Sequence, residues 1–150
     1  MIERKMGYAP CALIVSDECP VCKVLMLVNT FSYFVEWLQR TGCSILFPQD
    51  LWKFPEYVSW ARKCGVVCYK LVGFDVEEVV KTPAVITPIG CVEFKVPTMP
   101  IEKLIPFLRT AEAWEFRTRL KYQIERARTL VKIACRMYGW RLREEQSRKK

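Results

Sequence analysis

Cys19-Pro20-Val21-Cys22 places two thiols at the spacing where one sulfur can attack a disulfide and the other can resolve the product. The pair lies between the apolar run of residues 11–16 and the pattern Lys23-Val24-Leu25-Met26-Leu27-Val28, where a buried strand hands over to a helix. At a helix start, unpaired N–H groups and the positive end of the macrodipole stabilise a thiolate, which marks Cys19 as nucleophile. Cys22 follows one turn on as resolving thiol. Pro20 shapes the turn and takes an early helical position where its missing N–H costs nothing. The chain has no histidine, so the usual general base and the commonest metal ligand are absent. Any catalysis rests on thiols, carboxylates, lysines or tyrosines.

The elements that must position these thiols follow from periodicity. Val24, Val28, Phe31, Val35 and Leu38 repeat at four and three residues, predicting one helix of about five turns that ends at Thr41-Gly42. Residues 66–72 are rich in β-branched and aromatic side chains and read as a strand, stronger than the other candidate, Ser44-Ile45-Leu46-Phe47; Asp75–Val80 read as a short helical turn. A helix is expected around residues 56–62. Lys81-Thr82-Pro83-Ala84-Val85-Ile86-Thr87 leads into a further strand, at whose edge a proline is tolerated.

Cys19-Pro20-Val21-Cys22 together with Thr82-Pro83 resembles the thioredoxin superfamily, closest in wording to glutaredoxins, over roughly residues 10–110. The resemblance implies an α/β fold with a central mixed sheet flanked by helices, in which residues 66–72 are the second parallel strand and residues 43–63 an insertion containing a helix. It also implies a cis Pro83 opposite the dithiol, aiming the backbone of Thr82 at an extended substrate. Gly90-Cys91-Val92-Glu93-Phe94 resembles the next antiparallel strand, and residues 100–108 resemble the closing helix. Glutathione-using members carry a Gly-Gly pair and an acidic residue where this chain reads Phe94-Lys95-Val96-Pro97-Thr98-Met99-Pro100, so glutathione use is not implied. Thioredoxins carry tryptophan before the first cysteine and a buried carboxylate on the preceding strand; Asp17-Glu18 and Leu13 stand here instead. Two carboxylates beside Cys19 should raise its pKa and favour a reductant or isomerase-like poise.

With 150 residues and 51% hydrophobic content the chain can bury one sizeable core. Its longest apolar runs are too short to cross a bilayer, and Met1-Ile2-Glu3-Arg4-Lys5-Met6 lacks a signal-like core, so a cytoplasmic protein without a transmembrane segment is expected. Eight cysteines with one asparagine, four glutamines and no histidine suit the interior of a hyperthermophile, an archaeon or its virus. Cys11, Cys43, Cys64, Cys68, Cys91 and Cys135 are buried small hydrophobes or paired in one of 15 ways. Cys19, Cys22, Cys64 and Cys68 as a zinc site would need an unusually long spacing, and neither a metal nor a cofactor is assigned.

Residues 112–150 hold 12 Lys and Arg against 5 Asp and Glu, nearly all of the chain's net charge of +8. Leu120, Ile124, Ala127, Val131, Ala134 and Tyr138 form a seam at heptad spacing, with Arg119, Lys121, Arg126, Arg128, Lys132 and Arg136 off it. This predicts a basic amphipathic helix from about Glu112 to about Arg143, with Arg148-Lys149-Lys150 frayed. The seam docks on the core or on a second copy in a homodimer, while the basic face is solvated or holds nucleic acid, a membrane surface or an acidic partner. Residues 1–110 thus form a thioredoxin-like domain and 111–150 a helical extension. The expected function is protein thiol–disulfide exchange on disulfide substrates, with Cys19 and Cys22 catalytic and Pro20, Thr82 and Pro83 contacting substrate. The alternative is a non-enzymatic protein that binds nucleic acid or a partner through the basic helix.

Overall fold

The computed structural model describes residues 8–97 and 99–140. In chain order its elements begin β1 (Ala12–Ile14), α1 (Pro20–Met26), α2 (Asn29–Thr41), β2 (Ser44–Leu46), α3 (Pro48–Leu51) and α4 (Pro55–Lys63). There follow β3 (Val67–Val72), β4 (Asp75–Val80), β5 (Ala84–Thr87), β6 (Gly90–Glu93), α5 (Ile101–Leu108), a 3-10 turn (Ala111–Ala113) and α6 (Trp114–Met137). The protein is mixed α/β.

Four strands form a mixed sheet in the order β2-β1-β5-β6. β2 runs parallel to β1, with Ala12 beside Ser44; β5 is antiparallel to β1, with Ile14 opposite Ala84; β6 is antiparallel to β5. Because strand side chains alternate, β1 feeds two cores. Cys11, Leu13 and Val85 face α2 and α6, packing with Phe31, Phe34, Leu38, Leu120 and Val131. Ala12, Ile14, Ala84 and Ile86 face α3 and α4, packing with Leu51, Tyr57, Val58 and Ala61. Both faces of the central strands are therefore covered.

The structure changes several expectations. The parallel neighbour of β1 is β2, and not residues 66–72, so residues 43–63 are part of the sheet layer and its cover rather than an insertion. Residues 67–80 instead form a separate two-stranded hairpin, β3 against β4, joined by Gly73-Phe74. Gly73 takes a φ of 63°, the left-handed geometry that a two-residue hairpin turn requires at its first position. Asp75–Val80 is a strand because Val76, Val79 and Val80 suit a pleated ribbon better than a helical turn. The single long helix after Cys22 is two helices, bent by 94°. The break falls at Leu27-Val28, where Val28 is extended and α2 opens on Asn29-Thr30, two residues of weak helix propensity. Periodicity continues across it because both helices bury their stripes in the same core.

α2 ends where expected, with Gly42 left-handed at φ 87°. Among the described residues no single helix is long and apolar enough to cross a membrane. α6 begins at Trp114 and ends at Met137; Arg143, Arg148, Lys149 and Lys150 lie outside the described residues, as does the segment 1–7. Its seam docks on this chain's own core: Leu120, Ile124, Ala127, Val131 and Ala134 are all buried. Tyr138 lies just past the helix end, against the ring of Trp60. Arg128 is not on a solvated face, since its guanidinium lies 5.3 Å from the Trp37 ring and 5.9 Å from that of Phe34. Its Nε is buried.

Three substitutions in α6 test this arrangement by denaturant unfolding. Val131→Glu buries an unpaired carboxylate and should cost about 2–4 kcal/mol. Arg128→Ala should cost about 1 kcal/mol through lost ring contact, and exposed Arg126→Ala should stay within about 0.5 kcal/mol of wild type. Equal stability of Val131→Glu and wild type would overturn the docked seam.

Candidate dithiol site

The end of β1 and the start of β5 lie at the same end of the sheet, because the two strands pair antiparallel through Ile14 and Ala84. Residues 15–19 leave β1 and turn into α1, held by Val15 N–H donating to Leu46 O at 3.0 Å and Cys19 N–H donating to Ser16 O at 3.2 Å. Cys19 is the N-cap of α1, in extended conformation, and its sulfur accepts a hydrogen bond from Cys22 N–H at 3.3 Å. Pro20 occupies the first helical turn.

Across from it, the Thr82–Pro83 peptide bond is cis. The segment is fixed on both sides: Lys81 N–H donates to Val66 O at 2.8 Å, and Phe94 N–H donates to Pro83 O at 3.0 Å. The Cys19 thiol lies 3.5 Å from Thr82 O. The structure thus brings Cys19, Pro20, Cys22, Thr82 and Pro83 together from two segments, Cys19 and Thr82 being 63 residues apart in sequence.

The two sulfurs differ in burial and ionisation. Cys22 is 4% exposed, whereas Cys19 is partly open. Burial alone would raise the Cys19 pKa, but hydrogen bonds from Thr82, from Cys22 and from the backbone at Cys22 and Val21 outweigh it and hold the thiol below its ordinary value of 9.0. Burial and the neighbouring Cys19 sulfur push Cys22 up to about 11. One proton is therefore held by Cys22 while Cys19 is the sulfur that ionises first. The expectation that Asp17 and Glu18 raise the Cys19 pKa fails: both carboxylates are exposed, and neither is among the groups acting on it. Lys23 is exposed and does not act on Cys22.

Two contributors escaped sequence reasoning. The backbone at Ser16 bonds to the Cys22 sulfur, a contact with no side-chain signature. Pro20 and Val21 also border an apolar hollow of about 290 Å³ closed by Val96, Pro97, Met99, Ile101 and Leu104. The Val96-Pro97 pair, at the point where the chain departs from the glutathione-binding pattern, was the available signal for it. Cys64 is bonded to Cys91, their Cα atoms 6.0 Å apart, which takes Cys64 out of any four-thiolate site with Cys19 and Cys22. Among the described residues no group of three or more Cys, Asp or Glu side chains is placed to hold a metal ion.

What these features define is a mixed α/β protein with a dithiol at a helix head, the pKa of one thiol lowered and that of the other raised. No protein-family model, curated protein or solved structure matches the chain.

Only the thiolate alkylates, so the lowered pKa at Cys19 means more reactive sulfur at any pH below 9.0 than an ordinary cysteine offers. Iodoacetamide should label Cys19 first at pH 7, with a rate–pH midpoint below 9.0, whereas Cys22 should gain reactivity only towards pH 11. Mass mapping after timed quenching reads both. Faster labelling of Cys22 would reverse the assignment.

Proposed function

We propose that the protein is a thiol–disulfide oxidoreductase of the thioredoxin-like, glutaredoxin-related kind. The observation that carries this reading is the opposite displacement of two adjacent thiols, Cys19 downward and Cys22 upward, at the head of a helix facing Thr82. Support from the fold comes from the sheet order β2-β1-β5-β6, with a dithiol following β1 and Thr82-Pro83 preceding β5.

In this mechanism the Cys19 thiolate attacks one sulfur of a substrate disulfide, forming a mixed disulfide and releasing the other substrate sulfur as thiolate, which takes a proton from solvent. Cys22 then loses its proton and attacks the Cys19 sulfur, closing the Cys19–Cys22 disulfide and releasing the second substrate thiol. An external dithiol returns two electrons and two protons. Once Cys19 is bonded to substrate its negative charge is gone, which removes one of the causes that raise the Cys22 pKa. Deprotonation of Cys22 thereby follows substrate attack rather than preceding it. Thr82 and Pro83 line the approach to Cys19, with the Thr82 carbonyl positioned beside the reacting sulfur.

A second reading draws on α6. With its seam buried, the helix turns Arg119, Lys121, Arg126, Lys132 and Arg136 outward, a basic surface suited to polyanion phosphates. That surface lies on an element separate from the dithiol, so the two readings are tested independently.

Reduction of insulin by dithiothreitol should be accelerated by the wild-type protein and fall by about 100-fold or more in Cys19→Ser. Cys22→Ser should accumulate a mixed disulfide visible on a non-reducing gel, since attack survives and resolution does not. Equal turnover by wild type and Cys19→Ser would sink the oxidoreductase reading and leave the basic surface as the better one.

A further inference from the structure

Cys11, Cys43 and Cys135 take no part in the dithiol and are all buried, at 1%, 6% and 1% exposure. They reach one place from three elements. Cys11 directly precedes β1, Cys43 directly precedes β2, and Cys135 lies in the last turn of α6. The parallel register of Ala12 with Ser44 sets Cys11 and Cys43 side by side, and Ser44 N–H donates to Cys11 O at 3.3 Å. Cys135 packs in the same core cluster, and the Cys11 thiol makes hydrogen bonds with both Cys135 and Cys43. The end of α6 is pinned there again by Trp140, whose backbone N–H donates to Cys135 O at 2.8 Å and whose Nε1 donates to Thr41 O at 3.3 Å.

We propose that this cluster is a second disulfide-forming site, in which Cys11 and Cys135 join to staple the end of α6 onto the sheet. Neighbours on adjacent strands project side by side from backbones about 4.7–4.9 Å apart. A disulfide needs Cβ atoms about 3.5–4.5 Å apart, which disfavours Cys11 with Cys43. Cys135, on a helix packed into the same cluster and hydrogen-bonded to Cys11, is not held at that spacing. The oxidant is a low-molecular-weight disulfide of the glutathione type. One thiolate of the pair displaces the first small thiol to give a mixed disulfide, and the second displaces the other. One external S–S bond is broken, one internal bond is formed, and both protons leave on the released thiols. The Cys135 bond acts to lower the Cys11 pKa, but the Cys43 bond and burial outweigh it and hold that thiol far above its ordinary value. The exchange therefore proceeds through opening of the α6 end, more slowly than at Cys19. This site is independent of the function proposed for the dithiol.

The test treats the reduced full-length protein with oxidised glutathione at a temperature approaching its unfolding transition, then denatures it with an alkylating agent and digests it without reduction. The expected product is a peptide linking Cys11 to Cys135, with Cys43 alkylated. Melting of the protein treated in this way should rise by about 5 °C or more over the same protein after treatment with Cys135→Ala in place. Should Cys135→Ala fail to fold, the wild-type peptide map decides alone. Alkylated Cys11 and Cys135 after complete treatment, or a Cys11–Cys43 link in their stead, would overturn the proposal.

Discussion

Everything at the candidate site depends on the antiparallel pairing of β1 with β5. Pairing Ile14 with Ala84 makes the exit of one strand and the entrance of the other neighbours, and so brings the head of α1 against Thr82. The register is tightly specified because both faces are buried. A slip of one residue would turn Leu13 and Val85 away from Phe31 and Leu120, and Ile14 and Ile86 away from Tyr57 and Ala61. Helices that never touch the sulfurs, α4 on one side and α6 on the other, thus hold their geometry. Their packing is the remote condition of the chemistry.

Given that frame, the thiol pair is tuned almost without formal charges. Short hydrogen bonds act on Cys19, from backbone N–H groups of α1 and from Thr82, while the sequence-adjacent Asp17 and Glu18 do not. Carboxylates exposed to water act through its high dielectric, whereas an N–H aimed at sulfur in a half-buried site acts in a lower one. The polarity of the pair is then a property of the helix head itself. A chain without histidine can lower the pKa of one thiol on these terms, because the second thiol supplies a hydrogen bond to the first and has its own pKa raised.

Much of this was legible in the sequence, where each signal is contiguous. The strand-to-helix setting of Cys19 and Cys22, the Thr82-Pro83 step and the α6 seam each occupy a few residues whose types state their role. What failed was choice between distant segments. β2 is three half-buried residues, Ser44-Ile45-Leu46, and residues 66–72 outscore it because β-propensity reports fit to a pleated surface, which an outlying hairpin satisfies as well as a central strand does. Gly73 between two β-branched runs was the discriminating signal. The bend at Val28 was invisible because a hydrophobic stripe records which core is faced, and α1 and α2 face the same one. Arg128 was misplaced for a different reason: charge suggests a solvated tip, whereas this guanidinium lies over the Trp37 ring.

Eight thiols in one chain would scramble if they were equivalent, and the fold makes them unequal in two respects that set exchange rate, thiolate fraction and access. Cys19 has both, at an open helix head. Cys64 and Cys91 are already joined across α4 and β6. Cys11, with Cys43 and Cys135 against it, has neither, since it is sealed in the core and its pKa is held high. β1 is the spacer between the two extremes: Cys11 stands just before it and Cys19 five residues beyond its end. Three strand residues span about 10 Å, too far for sulfurs at opposite ends to exchange within one folded molecule. The same buried strand that aims Cys19 at Thr82 therefore isolates it from the thiols that would otherwise consume its oxidised form.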